Sequence, residues 1–121
     1  MSMDTSLQAH RNFVASGNWF KMSLIQQLAN IGTDVDRAIL WRQAGKLEDS
    51  KYALWRALDL IWLTVEDPKN RKTRNRLKEI LRMREVLLDY FMGDNEYKST
   101  DALWQSYFHS YCYAAALERG R

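Results

Sequence analysis

Four kinds of residue in this chain could do chemistry by type and spacing: two histidines, one cysteine, a pair of carboxylates one helical turn apart, and a dense run of lysines and arginines. Neither histidine has the Glu-x-x-His spacing with which helical bundles hold two irons. Ser106 stands three residues before His109, and His10 lies in a polar start. A lone histidine on an aromatic-rich helix reads as a packed side chain. Cys112, between Tyr111 and Tyr113, reads as a buried, unreactive thiol. Glu85 and Asp89 could share acid/base work, but Arg82 and Arg84 stand beside them, and ion pairing accounts for them better. The segment Gly93-Asp94-Asn95-Glu96 lacks the alternating oxygen ligands of a calcium loop. No glycine-rich phosphate loop, CxxC pair or nucleophile elbow occurs. No catalytic residue, metal ligand or cofactor is assigned.

The basic run is the strongest surface feature. Residues 69–84 carry eight cations (Lys69, Arg71, Lys72, Arg74, Arg76, Lys78, Arg82, Arg84) against Glu79 alone, a charge of +7, which leaves −4 on the rest of the chain. On helical geometry these charges point all round the axis, which no single packed face explains. No large apolar side chain lies between Glu66 and Arg76, so nothing in that stretch is expected to be buried. Two readings follow. The run is a solvated connector, or Lys69, Arg71, Lys72, Arg74, Arg76 and Lys78 bind phosphates or an acidic partner, each cation releasing a counterion on nucleic acid. Arg84 shares a helical face with Leu77, Leu81, Leu88 and Phe91, and is assigned to a buried or interface ion pair with Glu85 or Asp89.

The elements that must position these residues are helices. Leu24, Leu28, Ile31, Val35 and Ala38 alternate steps of four and three, the pattern of one buried stripe. With Ser16, Gly17 and Asn18 as a start signal and Gly45 as a left-handed cap, a helix is expected over about 18–44. Gly32 inside it implies close approach by a neighbouring helix. The short loop returns an antiparallel helix over 47–66, with Leu47, Leu54, Leu58, Ile61 and Val65 as its stripe. Asp67-Pro68 stops it. The next helix is expected over 70–92, starting near Asn70 or Thr73, because the basic residues after Pro68 oppose the dipole of a helix start. Ser99 or Thr100 caps a last helix over 100–118, with Trp104, Phe108, Tyr111 and Ala115 inward. Trp41, Trp55, Trp62 and Trp104 read as core residues, one or two of them at an oligomer contact. The expectation is therefore an all-α fold: a four-helix up-and-down bundle with short loops.

Composition agrees with that reading. One proline and five glycines are too few for the turns of a sandwich or barrel. With 46% apolar and 27% charged residues the chain is globular in type. At 121 residues it makes one domain, 13–121, behind a flexible N-terminal segment 1–12. A single cysteine excludes an intrachain disulfide and points to a reducing compartment. No signal peptide and no apolar run of about 20 residues is present, so a cytoplasmic protein without a membrane span is expected.

Two stretches, Asn12 to Ala38 and Arg82 to Trp104, with the strings NWFKMSL and DYFMGDNEY, resemble a family of short, all-helical prokaryotic proteins. That family brings no activity with it. More distantly, the layout is similar to the helical bundles that accompany minimal nucleotidyltransferases and to HEPN domains. Ribonucleases among the latter carry an arginine four to six residues before a histidine, which neither His10 nor His109 has. The resemblance implies a non-catalytic partner subunit, with a nucleotidyltransferase as one candidate partner.

The sequence therefore reads as a non-catalytic interaction or accessory protein, a dimer or higher homo-oligomer with a basic edge. The second and fourth expected helices carry more large apolar residues than one small core needs. The alternative is a nucleic-acid-binding module using residues 69–78.

Overall fold

The computed structural model describes residues 3–120 and runs through five α-helices: α1 (Met3–Ser16), α2 (Leu24–Gln43), α3 (Leu47–Glu66), α4 (Arg74–Met92) and α5 (Asp101–Arg119). Two 3-10 turns, Asn18–Lys21 and Pro68–Arg71, join them, and no strand occurs among the described residues. Residues 1, 2 and 121, the ends of the expected N-terminal segment and domain, lie outside the described residues. The fold is all-helical as expected, but it has five helices where four were expected. No helix among the described residues is long and apolar enough to cross a membrane.

α2 is the axis. Its stripe of Leu28, Ile31, Val35, Ala38 and Ile39 is buried, and the helix packs against α3 on one side and α5 on the other. Gly45, at φ 78°, closes α2 in the left-handed region, and the three-residue loop returns α3 antiparallel. The Ser50 hydroxyl donates to the Ala38 carbonyl at 2.7 Å and pins that pair. α5 also runs antiparallel to α2. The Ser23 hydroxyl donates to Glu118 at 2.8 Å at one end, and Arg42 and Gln43 donate to Asp101 at 2.9 Å each at the other. Gly32 lets the two backbones approach, since a Cβ there would stand 2.6 Å from the Phe108 side chain.

α4 contributes Ile80, Met83 and Leu87 to the core and packs on α3. Its C-terminal end is clamped where the Tyr90 hydroxyl donates to Asp101 and the Arg42 guanidinium lies 4.8 Å from the Tyr90 ring and 4.5 Å from the Phe91 ring. Leu81, expected on the packed face, is exposed.

Three expectations are corrected. First, a helix stands where an irregular start was expected, because α1 docks through residues that carry little apolar pattern. His10 is buried against the Trp55 ring, and Phe13 meets the Trp19 ring edge-on. Second, Gly17 does not start the long helix. It takes φ 73° before the 3-10 turn, and α2 begins at Leu24 behind a capping box in which Ser23 and Gln26 satisfy each other's backbone amides. Third, Trp55 and Trp62 are not core residues; they are 44% and 51% exposed, while Ala53, Ala57 and Leu60 turn inward instead.

Candidate functional site

The basic run does not form one surface. Its first members are anchored. Asp67 is 3% exposed and Asn70 is fully buried, so the expectation that nothing between Glu66 and Arg76 is buried is overturned. The Asp67 carboxylate accepts the Gln27 amide at 2.8 Å, the Lys69 backbone N–H at 3.1 Å, and the Lys69 ammonium. That ammonium also reaches the Phe20 carbonyl at 3.2 Å. The Asn70 amide donates to Gln27 Oε1 at 2.9 Å and to the Thr64 carbonyl at 3.0 Å. Trp19 Nε1 donates to the Thr64 hydroxyl at 3.1 Å, and Gln27 donates to the Trp19 carbonyl at 3.0 Å. Burial alone would raise the Asp67 carboxyl, but the hydrogen bonds from Lys69 and Gln27 outweigh it and hold the group below the usual carboxylate range. This knot fastens the first 3-10 turn, α2, the end of α3 and the second 3-10 turn together.

Beyond the knot, Arg71, Lys72, Arg74, Arg76 and Lys78 are exposed, and none of them makes an ion pair among the described residues. Arg84 is half-buried and also makes none. Its expected partners are engaged elsewhere. Glu85 accepts the Tyr97 hydroxyl at 3.0 Å, and Asp89 accepts the Glu96 and Tyr97 amides at 2.9 and 3.1 Å, closing the connector before α5.

Among the concave regions on the helices, two stand out by size. The first is a groove of about 680 Å³ between α4 and α5. Its walls are Met83, Val86, Leu103, Trp104, Tyr107 and Tyr111, and Lys78 and Arg82 stand at it with Glu79. Leu103 is 60% exposed there, a large apolar side chain with no cover among the described residues.

The second is a cavity of about 470 Å³ where α1 crosses α2 and α3. Asp34 lines it and is 3% exposed. Arg37 Nη1 lies 3.5 Å from one of its oxygens and Arg56 Nε 3.9 Å from the other. Burial pushes the Asp34 carboxyl above its ordinary value, and Arg56, Arg37 and His10 only partly oppose this. His10 itself pairs with Asp59 at 2.6 Å.

Both buried polar centres escape the pattern search that finds the helices. One signal was present: Gln27 and Asp34, seven apart, share the buried stripe of Ile31 and Ala38. No protein-family model, curated protein or solved structure matches the chain. The family resemblance therefore rests on its sequence strings alone, and the more distant one on helix layout alone.

Proposed function

We propose that this is a non-catalytic interaction protein that assembles with copies of itself and presents a basic edge to an acidic partner. The observation that carries the reading is the uncovered apolar groove between α4 and α5. Its occupant is the outer face of α3 in a second copy. Trp55, Asp59, Trp62 and Glu66 follow steps of four, three and four, and so form one stripe along α3. Asp59 is already paired with His10, and Trp62 and Glu66 are exposed on the stripe. The groove is apolar with Lys78 and Arg82 standing at it beside Glu79, so Glu66 supplies the charge that complements the two cations. Pairing two grooves face to face would instead set Lys78 and Arg82 against their own copies. Contact between two different faces is head-to-tail, and closes into a ring or extends according to its rotation. The lone Cys112 supports a reducing, cytoplasmic setting.

A head-to-tail contact has a diagnostic test. Sedimentation of the wild-type chain should show an oligomer, and Leu103→Glu and Trp62→Glu should each be monomeric. Each variant keeps one intact face, so mixing the two should restore a one-to-one dimer. A monomeric wild type sinks the proposal, as do two monomeric variants that fail to recombine; a Trp62→Glu variant that stays oligomeric while Leu103→Glu does not points to groove-to-groove pairing instead.

A second reading, nucleic-acid binding, is favoured by one specific observation: Arg71, Lys72, Arg74, Arg76 and Lys78 are exposed and unpaired among the described residues. On duplex DNA the logarithm of the binding constant would fall with that of salt by about 0.9 per phosphate neutralised. Unchanged binding after neutralising all five residues would discard it.

A further inference from the structure

The cavity beneath α1 is lined by an arginine, its side chain 29% exposed, with one buried donor that is not used. Arg56 lines it, and its Nε is buried without a hydrogen-bond partner among the described residues. The nearest carboxylate oxygen, on Asp34, is 3.9 Å away, beyond hydrogen-bond reach. Orphaned N–H groups of this kind are rare in folded proteins and call for a partner. Arg37 converges on the same carboxylate from α2, at 3.5 Å. The walls beside them are apolar, made by Phe13, Trp19 and Leu60. At about 470 Å³ the space lies within the range of small-molecule sites, which pair apolar walls with a few convergent polar groups.

We propose that this cavity binds a small carboxylic acid with an aromatic or branched apolar body. Its carboxylate is held by Arg56 and Arg37, and its body packs against Phe13, Trp19 and Leu60. The planar guanidinium fork matches a carboxylate, and its donors gain most where water is scarce. Asp34 sets the pH dependence. It faces Arg56 from α3, Arg37 from its own helix and His10 from α1, and an incoming anion adds a negative charge beside it. Binding is then coupled to proton uptake at Asp34, so affinity rises as pH falls through the range where that carboxyl titrates. The site is separate from the α4–α5 groove, and neither proposal depends on the other.

The test is a chemical-shift titration of the full chain with three probes: 3-phenylpropionate, its neutral amide, and inorganic phosphate. The carboxylate should give saturable shifts at Thr33 and Leu60, with the amide and phosphate each at least about ten-fold weaker. Arg56→Gln should weaken the carboxylate by about ten-fold or more, and Arg37→Gln, whose side chain is 51% exposed and so tolerates change, by several-fold. Asp34→Asn should remove the gain in affinity at lower pH. The proposal is overturned if the carboxylate gives no saturable shift or if the amide or phosphate binds as tightly. It is equally overturned if affinity is unchanged in a folded Arg56→Gln protein or in Arg37→Gln.

Discussion

Asp34 and Asp67 are buried to the same extent, each 3% exposed, on the same set of helices. Their surroundings differ in one respect. Every contact of Asp67 is a close hydrogen bond, from Gln27, the Lys69 amide and the Lys69 ammonium, and its carboxyl is held low. Asp34 faces a cavity, its two arginines stand at 3.5 and 3.9 Å, and its carboxyl is pushed up. A buried carboxylate whose donors are in place is structural; one whose neighbours stop short leaves room for something else. Burial alone does not separate the two cases. The filling of the surrounding donors does.

Asp67→Asn offers the largest contrast. The new amide would turn donors toward the Gln27 amide and the Lys69 ammonium, and should cost about 2–3 kcal/mol, because the buried Gln27 amide loses its charged acceptor while the Lys69 ammonium, 34% exposed, is left to water. Urea denaturation measures it, and a loss under about 1 kcal/mol would break the structural reading of the knot. Asn70→Ala comes next. It strips Gln27 Oε1 and the Thr64 carbonyl of their common donor and should cost about 2 kcal/mol in the same assay.

Gly32 gives a check on the frame that holds both centres. Gly32→Ala places a methyl 2.6 Å from the Phe108 side chain, and the overpacking should cost about 1–3 kcal/mol, read as a lower melting temperature.

The parts of the fold that could be read in advance are those written in local pattern. The α2 stripe, the Asp67-Pro68 stop, the Gly45 cap and the close approach at Gly32 each follow from neighbours within a few residues. What was missed depends on distant partners. Asn70 sits among lysines and arginines and reads as solvated; Gln27, 43 residues earlier, together with the Thr64 carbonyl at the end of α3, makes it a core residue. The start of the chain reads as irregular because the side chain that docks α1 is His10, and its partner Asp59 lies 49 residues on. The unfilled groove and the cavity beneath α1 are gaps between helices, and no local period marks a gap.

The smallest expected effect sharpens the contrast most. Asp34→Asn should change stability at neutral pH by less than about 1 kcal/mol, because Arg37 and Arg56 are partly exposed and lose only a weak hydrogen bond at 3.5 Å and an ion pair at 3.9 Å. The signs of the two aspartates then separate with pH. The folded carboxyl of Asp34 lies above its unfolded value, so its stabilising contribution is complete below that unfolded value, near about 3.9, and is lost as pH rises through the folded one. Asp67 has the reverse shift. Its contribution is present above the unfolded value and is lost as pH falls through the lower folded one. Acidification from neutral pH should therefore first add the Asp34 contribution and only later remove that of Asp67. Folding stability followed from pH 7 to 3 should show the early gain in wild type and lack it in Asp34→Asn, with the late loss common to both. An early gain that survives in Asp34→Asn would mean that another group carries it, and that Asp34 is as settled in its surroundings as Asp67.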